Sequence, residues 1–297
     1  MHSELFPKIR LWIKRDDLLH PEISGNKYRK LASLLTQLQT QAHPQQNLLS
    51  MGGAWSNHLH ALAFAAQQYG ISVRALVRGE APQQESACLQ DCRRWGMEII
   101  YISRENYRRL RDEDGYWQTY AEPNTLWLPE GGSRPEALSG VALLVEECKQ
   151  SLGTLPDTIL LACGTGATLA GVVAGMQGQG RVIGVAAIKN GAYLNEKISE
   201  LLQQAGFPTY DNFQLLNDFH HGGYAKTTPE LIAFCRRFIK ETAIPIEPIY
   251  TGKMLYALHQ LCMEDFFQEG EQVIAVHTGG LQGLRGKPID DVQFGQT

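Results

Sequence analysis

The sequence contains no run of about 18 apolar residues, which is the length that a membrane-spanning helix requires. Its first residues, MHSELFPKIRLWIKRDD, also lack the long apolar stretch of a secretory signal. Positive charge is not in excess, because the formal net charge is −4. This balance excludes the strong basic field that attracts nucleic acid or an anionic membrane. We therefore expect a soluble, cytoplasmic globular protein that needs no nucleic acid or membrane as a partner.

The cysteines lack any paired motif. None of the six forms a C-x-x-C, and Cys88 and Cys92 are spaced to share one helix face, which we interpret as packing. The pattern predicts free, buried thiols in a reducing compartment. The adjacent His220 and His221 have no third ligand at a metal-like spacing. We therefore predict no metal site.

Short apolar, strand-like runs alternate with longer amphipathic segments along the chain. NLLSMGGAWSN and DTILLACGTGATLAG each read as a strand, a glycine turn and the start of a helix. Repeated strand–helix units predict parallel sheets with helices on both faces. Because strand-like runs cluster around 47–102 and 158–188, we predict two open, parallel-rich α/β domains. The expected boundaries are 1–35 with 136–297 for a large domain, and 36–135 for a small one.

The turn Gly164-Thr165-Gly166-Ala167-Thr168 joins an apolar strand to a helix. Backbone N–H groups at a helix start, with two hydroxyl groups, are typical of a site for one phosphate. No lysine follows as a Walker loop requires, and Leu169 stands where a dinucleotide motif needs its third glycine or alanine. The spacing therefore favours a single phosphate over a pyrophosphate, while a tight turn without a ligand stays open.

Two further glycine turns and a basic cluster complete the candidate site. In MGGAWSNHLHALA, Ser56 or Asn57 caps the following helix or receives a substrate carboxylate. HTGGLQGL follows the strand QVIAV. Since ligands bind beyond the carboxyl ends of strands in open α/β folds, all three turns are candidates for one cleft. The segment SGNKYRKL, at 24–31, is by itself a solvated turn, a phosphate clamp or the seat of a reactive lysine.

Taken together, these stretches resemble pyridoxal-phosphate (PLP) enzymes of the tryptophan synthase β type. More narrowly, they resemble the 1-aminocyclopropane-1-carboxylate (ACC) deaminase / D-cysteine desulfhydrase family. The matching stretches occur in family order across residues 13–284 and are IKRDDLL, SGNKYRKL, GGAWSNHLHALAFAA, LPEGGSRPEALSG, ACGTGATLAG, GGYAK, PIYTGKM and VHTGGLQGL. The resemblance implies that PLP lies in the cleft between the two domains. It also implies a homodimer that acts on a small amino acid.

The resemblance implies a role for each candidate residue. Lys27 would form the Schiff base with PLP and then act as the base at the α-carbon, and Lys30 would approach the phosphate. Asn57 would meet the ring hydroxyl oxygen, and Ser56 would hold the substrate carboxylate or assist proton transfer. Tyr224 and Tyr250 would stand over the reacting carbon. The phosphate would lie on Gly164, Thr165, Gly166, Ala167 and Thr168. Arg29 is left for solvent or a structural ion pair.

Two residues decide the expected substrate. In ACC deaminases a glutamate facing the pyridine nitrogen follows the tyrosine of PIYTGKM, whereas Thr251 stands here. Threonine offers only a neutral hydrogen bond and thus a weaker electron sink, which suffices for β-elimination of a good leaving group. Alternatively, Thr251 only caps a helix. Trp55 replaces a usual glutamine and reshapes the substrate pocket. D-cysteine desulfhydrase is therefore favoured over ACC deaminase.

Other functions stay open at this level. A racemase or a dehydratase for a hydroxy amino acid would use the same fold. A PLP- or metabolite-binding protein without turnover is the alternative from another class, and Trp55 keeps it open. A nucleotide-binding oxidoreductase is the rival at the level of the fold, and the glycine spacing counts against it.

Overall fold

The computed structural model describes residues 4–23, 25–40 and 47–286, and of residues 37–40 it describes the backbone alone. Ser24 of SGNKYRKL lies outside the described residues. The strands are β1 (Arg10–Arg15), β2 (Asn47–Gly52), β3 (Val73–Arg78), β4 (Glu98–Ile102), β5 (Thr125–Leu128), β6 (Thr158–Cys163), β7 (Arg181–Ala186), β8 (Phe213–Leu216) and β9 (Gln272–His277). The helices are α1 (Asn26–Thr40), α2 (Asn57–Tyr69), α3 (Ala87–Arg94), α4 (Arg104–Asp112), α5 (Ala137–Leu152), α6 (Ala167–Met176), α7 (Leu194–Gln204), α8 (Pro229–Thr242) and α9 (Thr251–Met263).

These strands form two sheets in which every pairing is parallel. The first sheet has the order β1-β9-β6-β7-β8, and the second has the order β4-β3-β2-β5. The predicted α/β class with two parallel sheets is confirmed. All strands of the second sheet fall within 36–135. The domain boundaries stay a prediction, and α1 runs through the proposed break at residue 36.

Local sequence explains the elements that flank the glycine turns. Helix α2 is rich in alanine, begins after the Ser56 cap and ends at Gly70, whose φ of 63° is easily adopted only by glycine. Strand β6 is buried throughout, as expected for a central strand covered on both faces. A strand of that kind leads straight into the 164–168 turn and α6.

Apolar side chains cover both faces of each sheet. On the first sheet, Leu144, Leu169 and Ile198 pack on one face, while Phe238 and Leu258 pack on the other. Full burial of each large side chain stabilises the fold by roughly 1.5–3 kcal/mol. This rigid packing fixes the strand ends, from which the loops of the candidate site emerge.

The predicted free thiols are confirmed, since all six cysteines are buried and unpaired. Within the described residues, no helix is long and apolar enough to cross a membrane, and no cluster of His, Cys, Asp and Glu could hold a metal.

Candidate active site

A cavity of about 240 Å³ lies where the strand order of each sheet changes direction. In the first sheet the chain runs from β6 to β7 and β8 on one side, whereas β9 lies on the other side of β6. The second sheet repeats this arrangement with β2 between β3 and β5. Such switch points open a crevice at the carboxyl ends of the strands. The cavity thus lies where both folds dictate a ligand site.

Most of the predicted site residues line this one cavity, as expected from the three glycine turns. They are Lys27, Lys30, Ser56, Asn57, Gly164, Thr165, Gly166, Thr168, Tyr224 and Tyr250. Ala167 and Thr251 are fully buried and do not belong to the lining. Ala167 can therefore contribute its backbone N–H but not its methyl group.

The 164–168 turn leaves the start of α6 without a side-chain cap. Gly166 has a φ of 89° and precedes the helix, and within the described part of the chain no side-chain cap accepts from the first turn. Thr168 Oγ1 accepts from Asn26 Nδ2 at 2.8 Å, which joins the start of α6 to that of α1. A buried helix start without a cap requires a partner for its N–H groups. An anion at this point would supply that partner.

Lys27 and Lys30 bring two amino groups to the same cavity. Burial lowers the pKa of Lys27 to about 8, although the residue as a whole is only partly buried. Lys30 is buried, donates to the Gly131 carbonyl at 3.1 Å, and has its pKa lowered well below normal by burial and by nearby Lys27. Among the described residues, no carboxylate forms an ion pair with either amino group. The pair therefore favours a bound anion.

Arg29, from the same helix, turns away from the cavity into a buried ion-pair cluster. Its guanidinium donates to Asp16 at 2.6 and 2.8 Å and to Glu147 at 2.9 and 2.7 Å. Of the two roles left open for Arg29, the structure shows the structural ion pair. This cluster anchors α1 and thus fixes the position of Lys27.

At the start of α2, Ser56 both caps the helix and lines the cavity. Its hydroxyl accepts from the Leu59 N–H at 3.2 Å. A Cβ on Gly52 would lie 2.7 Å from Ser56 Oγ, so the strand must end in glycine for the cap to form. The capping interpretation of Ser56 is confirmed by this hydrogen bond. Its contact with a substrate stays a prediction.

The two predicted tyrosines lie together, and one of them contacts the 164–168 turn. The rings of Tyr224 and Tyr250 are 6.0 Å apart at 61°. A Cβ on Gly164 would lie 3.1 Å from Tyr250, which shows how closely this ring covers the turn. Burial raises the pKa of both phenols, so both hydroxyl groups stay protonated near neutral pH.

Thr251 begins α9 but does not cap it with its side chain. Glu247 instead accepts from the Ile249, Tyr250 and Thr251 N–H groups, the last two at 2.8 and 2.7 Å. Burial raises the pKa of Glu247 to about 7, while these hydrogen bonds oppose the rise. The Thr251 hydroxyl is near enough to influence this carboxylate but has no partner with hydrogen-bond geometry among the described residues. The alternative that Thr251 caps the helix is therefore wrong.

Sequence reasoning missed three buried groups that shape the site. Glu247 is the first, and its signal in the sequence is an acidic residue four positions before the first residue of α9. The second is His58, whose Nε2 lies 3.0 Å from Ser50 Oγ and whose Nδ1 has no partner among the described residues. The third is Lys253, which donates to Gly223 and Ala187 carbonyls at 2.8 and 3.2 Å. Lys253 thereby fixes the loop that carries Tyr224.

His277, the last residue of β9, has a structural role. Its Nε2 bonds the Pro245 carbonyl at 2.7 Å, and its Nδ1 accepts from the Gly279 N–H at 3.2 Å. This pairing fixes the start of the third glycine turn.

The groups left unsatisfied in this cavity fit PLP. The uncapped start of α6 and the amino group of Lys30, which has no carboxylate partner among the described residues, fit a phosphate. The Thr251 hydroxyl, next to the cavity-lining Tyr250, has no hydrogen-bond partner among the described residues and so leaves one polar group for a ring atom. A partly neutral Lys27 suits a covalent link to an aldehyde carbon, since only the uncharged amine is nucleophilic. The residues present therefore match the cofactor that the resemblance implies.

Comparison with known proteins agrees with this match. A family model described as "Pyridoxal-phosphate dependent enzyme" matches residues 3–279. The chain is 28% identical to the bifunctional D-cysteine desulfhydrase/1-aminocyclopropane-1-carboxylate deaminase of Arabidopsis thaliana, over 93% of this chain and 74% of that protein. It is 24% identical to the D-cysteine desulfhydrase of Salmonella typhi, over 92% and 88%. A crystal structure of an ACC deaminase homologue has a TM-score of 0.81 and 27% identity, over 94% of this chain and 87% of that one.

Proposed function

The chain belongs to the pyridoxal-phosphate dependent enzymes, and from that premise we propose that it is a lyase that releases sulfide from D-cysteine. The net reaction converts D-cysteine and water into pyruvate, ammonia and hydrogen sulfide. A Cα–H bond and the Cβ–S bond break, and water then replaces nitrogen at the α-carbon. The bound cofactor supplies the electron sink that stabilises negative charge developing at the α-carbon.

The observation that carries this proposal is the environment of Thr251. Its hydroxyl is uncharged, and the neighbouring Glu247 carboxylate is already held by three backbone N–H groups. Among the residues that the structure describes, no carboxylate therefore stands free beside Thr251 to keep a ring nitrogen protonated. The resulting sink is moderate, which suits loss of a thiolate from the β-carbon. Opening of an unactivated cyclopropane needs a stronger one.

We propose Lys27 as the group that accepts the α-proton. Because its pKa is lowered to about 8 by burial, a substantial fraction is neutral slightly above neutral pH and able to act as a base. Lys27 and Ser56 line the same cavity, so a substrate held at the start of α2 lies within the space that Lys27 faces. Proton transfer then needs no large movement of either helix.

We assign substrate binding to the start of α2 and guidance of the leaving group to the tyrosines. Ser56 and Asn57 offer polar side chains at a positive helix end, where a carboxylate is stabilised. Tyr224 and Tyr250 keep their protons, so either hydroxyl can donate a hydrogen bond to the departing sulfur. Because the two rings lie side by side, both hydroxyl groups are candidates for this role.

Trp55 is proposed to limit the substrate to small amino acids. It lines the cavity beside Ser56, and its ring lies against Gly286, where an added Cβ would fall 2.2 Å from Cζ2. A ring packed in this way cannot swing aside cheaply. Trp55→Gln should therefore enlarge the set of accepted side chains while leaving cofactor binding unchanged.

The proposal is tested by assaying the holoenzyme with D- and L-amino acids and ACC for keto-acid release, and with both cysteines for sulfide. We expect sulfide and pyruvate from D-cysteine and at most a trace from L-cysteine. Release of 2-oxobutanoate from ACC without sulfide from D-cysteine would contradict the interpretation of Thr251. In that case ACC deaminase, named among the relatives, becomes the function. Thr251→Glu serves as the internal test, because it should depress sulfide release.

The resemblance also supports a homodimer, which we propose on that basis alone. Light scattering of the purified protein would give the mass directly. The six unpaired cysteines support a reducing compartment, and we propose the cytoplasm.

A further inference from the structure

The segment after β9 crosses from the first sheet to the helices of the second. Its short 3₁₀ turn, Leu281–Gly286, carries Gln282 and Arg285. Arg285 forms an ion pair with Asp91 on α3 at 2.7 Å, and its guanidinium also donates to Gln282 Oε1 at 3.3 Å. Gln282 Nε2 in turn donates to Asn57 Oδ1. A continuous chain of hydrogen bonds thus runs from Asp91 to Asn57.

The direction of this chain is fixed by chemistry. An arginine side chain can only donate and an ionised aspartate can only accept. Because Arg285 donates to Gln282, the amide oxygen of Gln282 must face Arg285 and its NH₂ must face Asn57. Asn57 therefore presents its oxygen to Gln282. This network settles the amide orientations, which would otherwise be ambiguous.

The NH₂ group of the Asn57 amide is not used by Gln282, and it can only donate hydrogen bonds. Its Nδ2 has no acceptor among the described residues. A Cβ on Gly280 would lie 2.7 Å from Nδ2, so glycine at that position leaves room for the NH₂. Asn57 also lines the main cavity. The NH₂ is thus available for an acceptor on a molecule bound there.

Resting on the role that the resemblance implies for Asn57, we propose that Gln282 is a positioning residue that holds the Asn57 amide with its NH₂ toward the cavity, where it would meet the ring hydroxyl oxygen of the cofactor. A donor at that oxygen favours its deprotonated form, which absorbs visible light. The opposite amide orientation would present an oxygen to an oxygen and favour the protonated form. Arg285 and Asp91 act one step further away, by fixing the orientation of Gln282.

Gln282→Glu is the sharpest test, because a carboxylate can still pair with Arg285 but can no longer donate to Asn57. The Asn57 amide should then turn, donate to the new carboxylate and present its oxygen to the cofactor. Gln282→Leu should only free the amide to rotate. Gln203→Glu, at an exposed position on α7, controls for the added charge.

The readout is the pH at which the bound cofactor changes between its visible and near-ultraviolet absorption. Loss of one hydrogen bond to a charged oxygen should move this midpoint upward by roughly one to two pH units in Gln282→Glu. The shift should be smaller in Gln282→Leu and absent in Gln203→Glu. In an Asn57→Ala background, Gln282→Glu should add nothing.

The proposal would be overturned if the pH midpoint of the absorption change in Gln282→Glu equals that of the wild type. It would also be overturned if Gln282→Glu still shifts this midpoint in the Asn57→Ala background. The affinity of the apo-protein for the cofactor gives a second criterion, which does not depend on the absorption spectrum. Gln282→Glu should bind the cofactor more weakly than Gln282→Leu, since only the former turns an oxygen toward it. The reverse order would contradict the proposal.

Discussion

Helices α2 and α6 begin in the same way and at the same cavity, yet their first turns are satisfied differently. Each follows a buried parallel strand and a glycine turn. The start of α2 is capped by Ser56, which accepts from Leu59 N–H at 3.2 Å. The start of α6 has no side-chain cap. The backbone donors of α6 are therefore left for a ligand, whereas α2 offers side chains instead.

The difference indicates a division of labour within one cleft. Backbone N–H groups at fixed positions suit a permanent anion such as a cofactor phosphate. Side chains at a capped helix start suit a substrate that enters and leaves. Lys27, which lies at the same cavity, connects the two regions. Substitutions in the two helix starts should therefore have separable effects on cofactor binding and substrate binding.

Removal of the Lys27 amino group should have the largest effect on activity. In Lys27→Ala, we expect keto-acid release to fall by at least about 100- to 10,000-fold, because the proposed base and the covalent link are both lost. The measurement is the initial rate at saturating cofactor, with borohydride trapping to detect the link. Lys149→Ala, at an exposed position on α5, is the control. Trapping that survives in Lys27→Ala would show that another lysine holds the cofactor.

Gly166→Ala should damage the α6 region alone. Alanine at this position would have to adopt a φ of 89°, and its Cβ would lie 3.2 Å from Ile198 Cγ1. The uncapped turn must therefore shift. We expect cofactor binding to weaken at least about tenfold, with a loss of roughly 1–2 kcal/mol in the free energy of unfolding. Gly70→Ala also places alanine at a positive φ, but at 63° in the left-handed region and with nothing within 4 Å of the added Cβ. It should lose about 1 kcal/mol of unfolding free energy, while cofactor affinity stays at the wild-type value.

Ser56→Ala should damage the α2 region alone. Loss of the cap should cost about 1 kcal/mol of unfolding free energy. Ser103→Ala removes a matching cap from α4, where the hydroxyl accepts from Asn106 N–H at 3.1 Å. The two variants should lose similar stability, but only Ser56→Ala should raise the substrate KM. Equal kinetics in both variants would reduce Ser56 to a structural residue.

The smallest effect concerns the pH at which the cofactor is captured. Burial lowers the pKa of Lys27 to about 8, so its neutral, nucleophilic form accumulates at lower pH than for an ordinary lysine. The rate of covalent capture by the apo-protein should therefore rise with pH and level off above about 8. Stopped-flow absorbance would measure this capture rate, with Nα-acetyl-lysine as the reference amine. A rate still rising at the reference amine's midpoint would contradict a buried Lys27.

Much of the fold could be predicted because it is encoded locally. The strand–turn–helix units at β2 and β6 carry buried runs, glycine turns and caps within about 20 residues. Strands β1, β5 and β8 were not predicted. β1 contains three charged residues, while β5 and β8 have only four residues each, so none of them shows a clear apolar period. Their pairing with β9, β2 and β7 is decided by tertiary contacts.

The site divides in the same way. Lys27, Ser56 and the 164–168 turn belong to motifs with recognisable spacing. Glu247 and Gln282 do not, since each acts through a partner whose proximity only folding reveals. For Gln282 that partner is 225 positions away in the chain. The orientation of Asn57 could not be read from its own neighbours.

The division of labour between the two helix starts is tested most directly by comparing the affinity for pyridoxal phosphate with that for pyridoxal, which lacks the phosphate. Equilibrium titration of the apo-proteins gives both dissociation constants. The account predicts a large preference for the phosphorylated form in the wild type and in Ser56→Ala, and its near loss in Gly166→Ala. A preference that survives in Gly166→Ala, or disappears in Ser56→Ala, would contradict it.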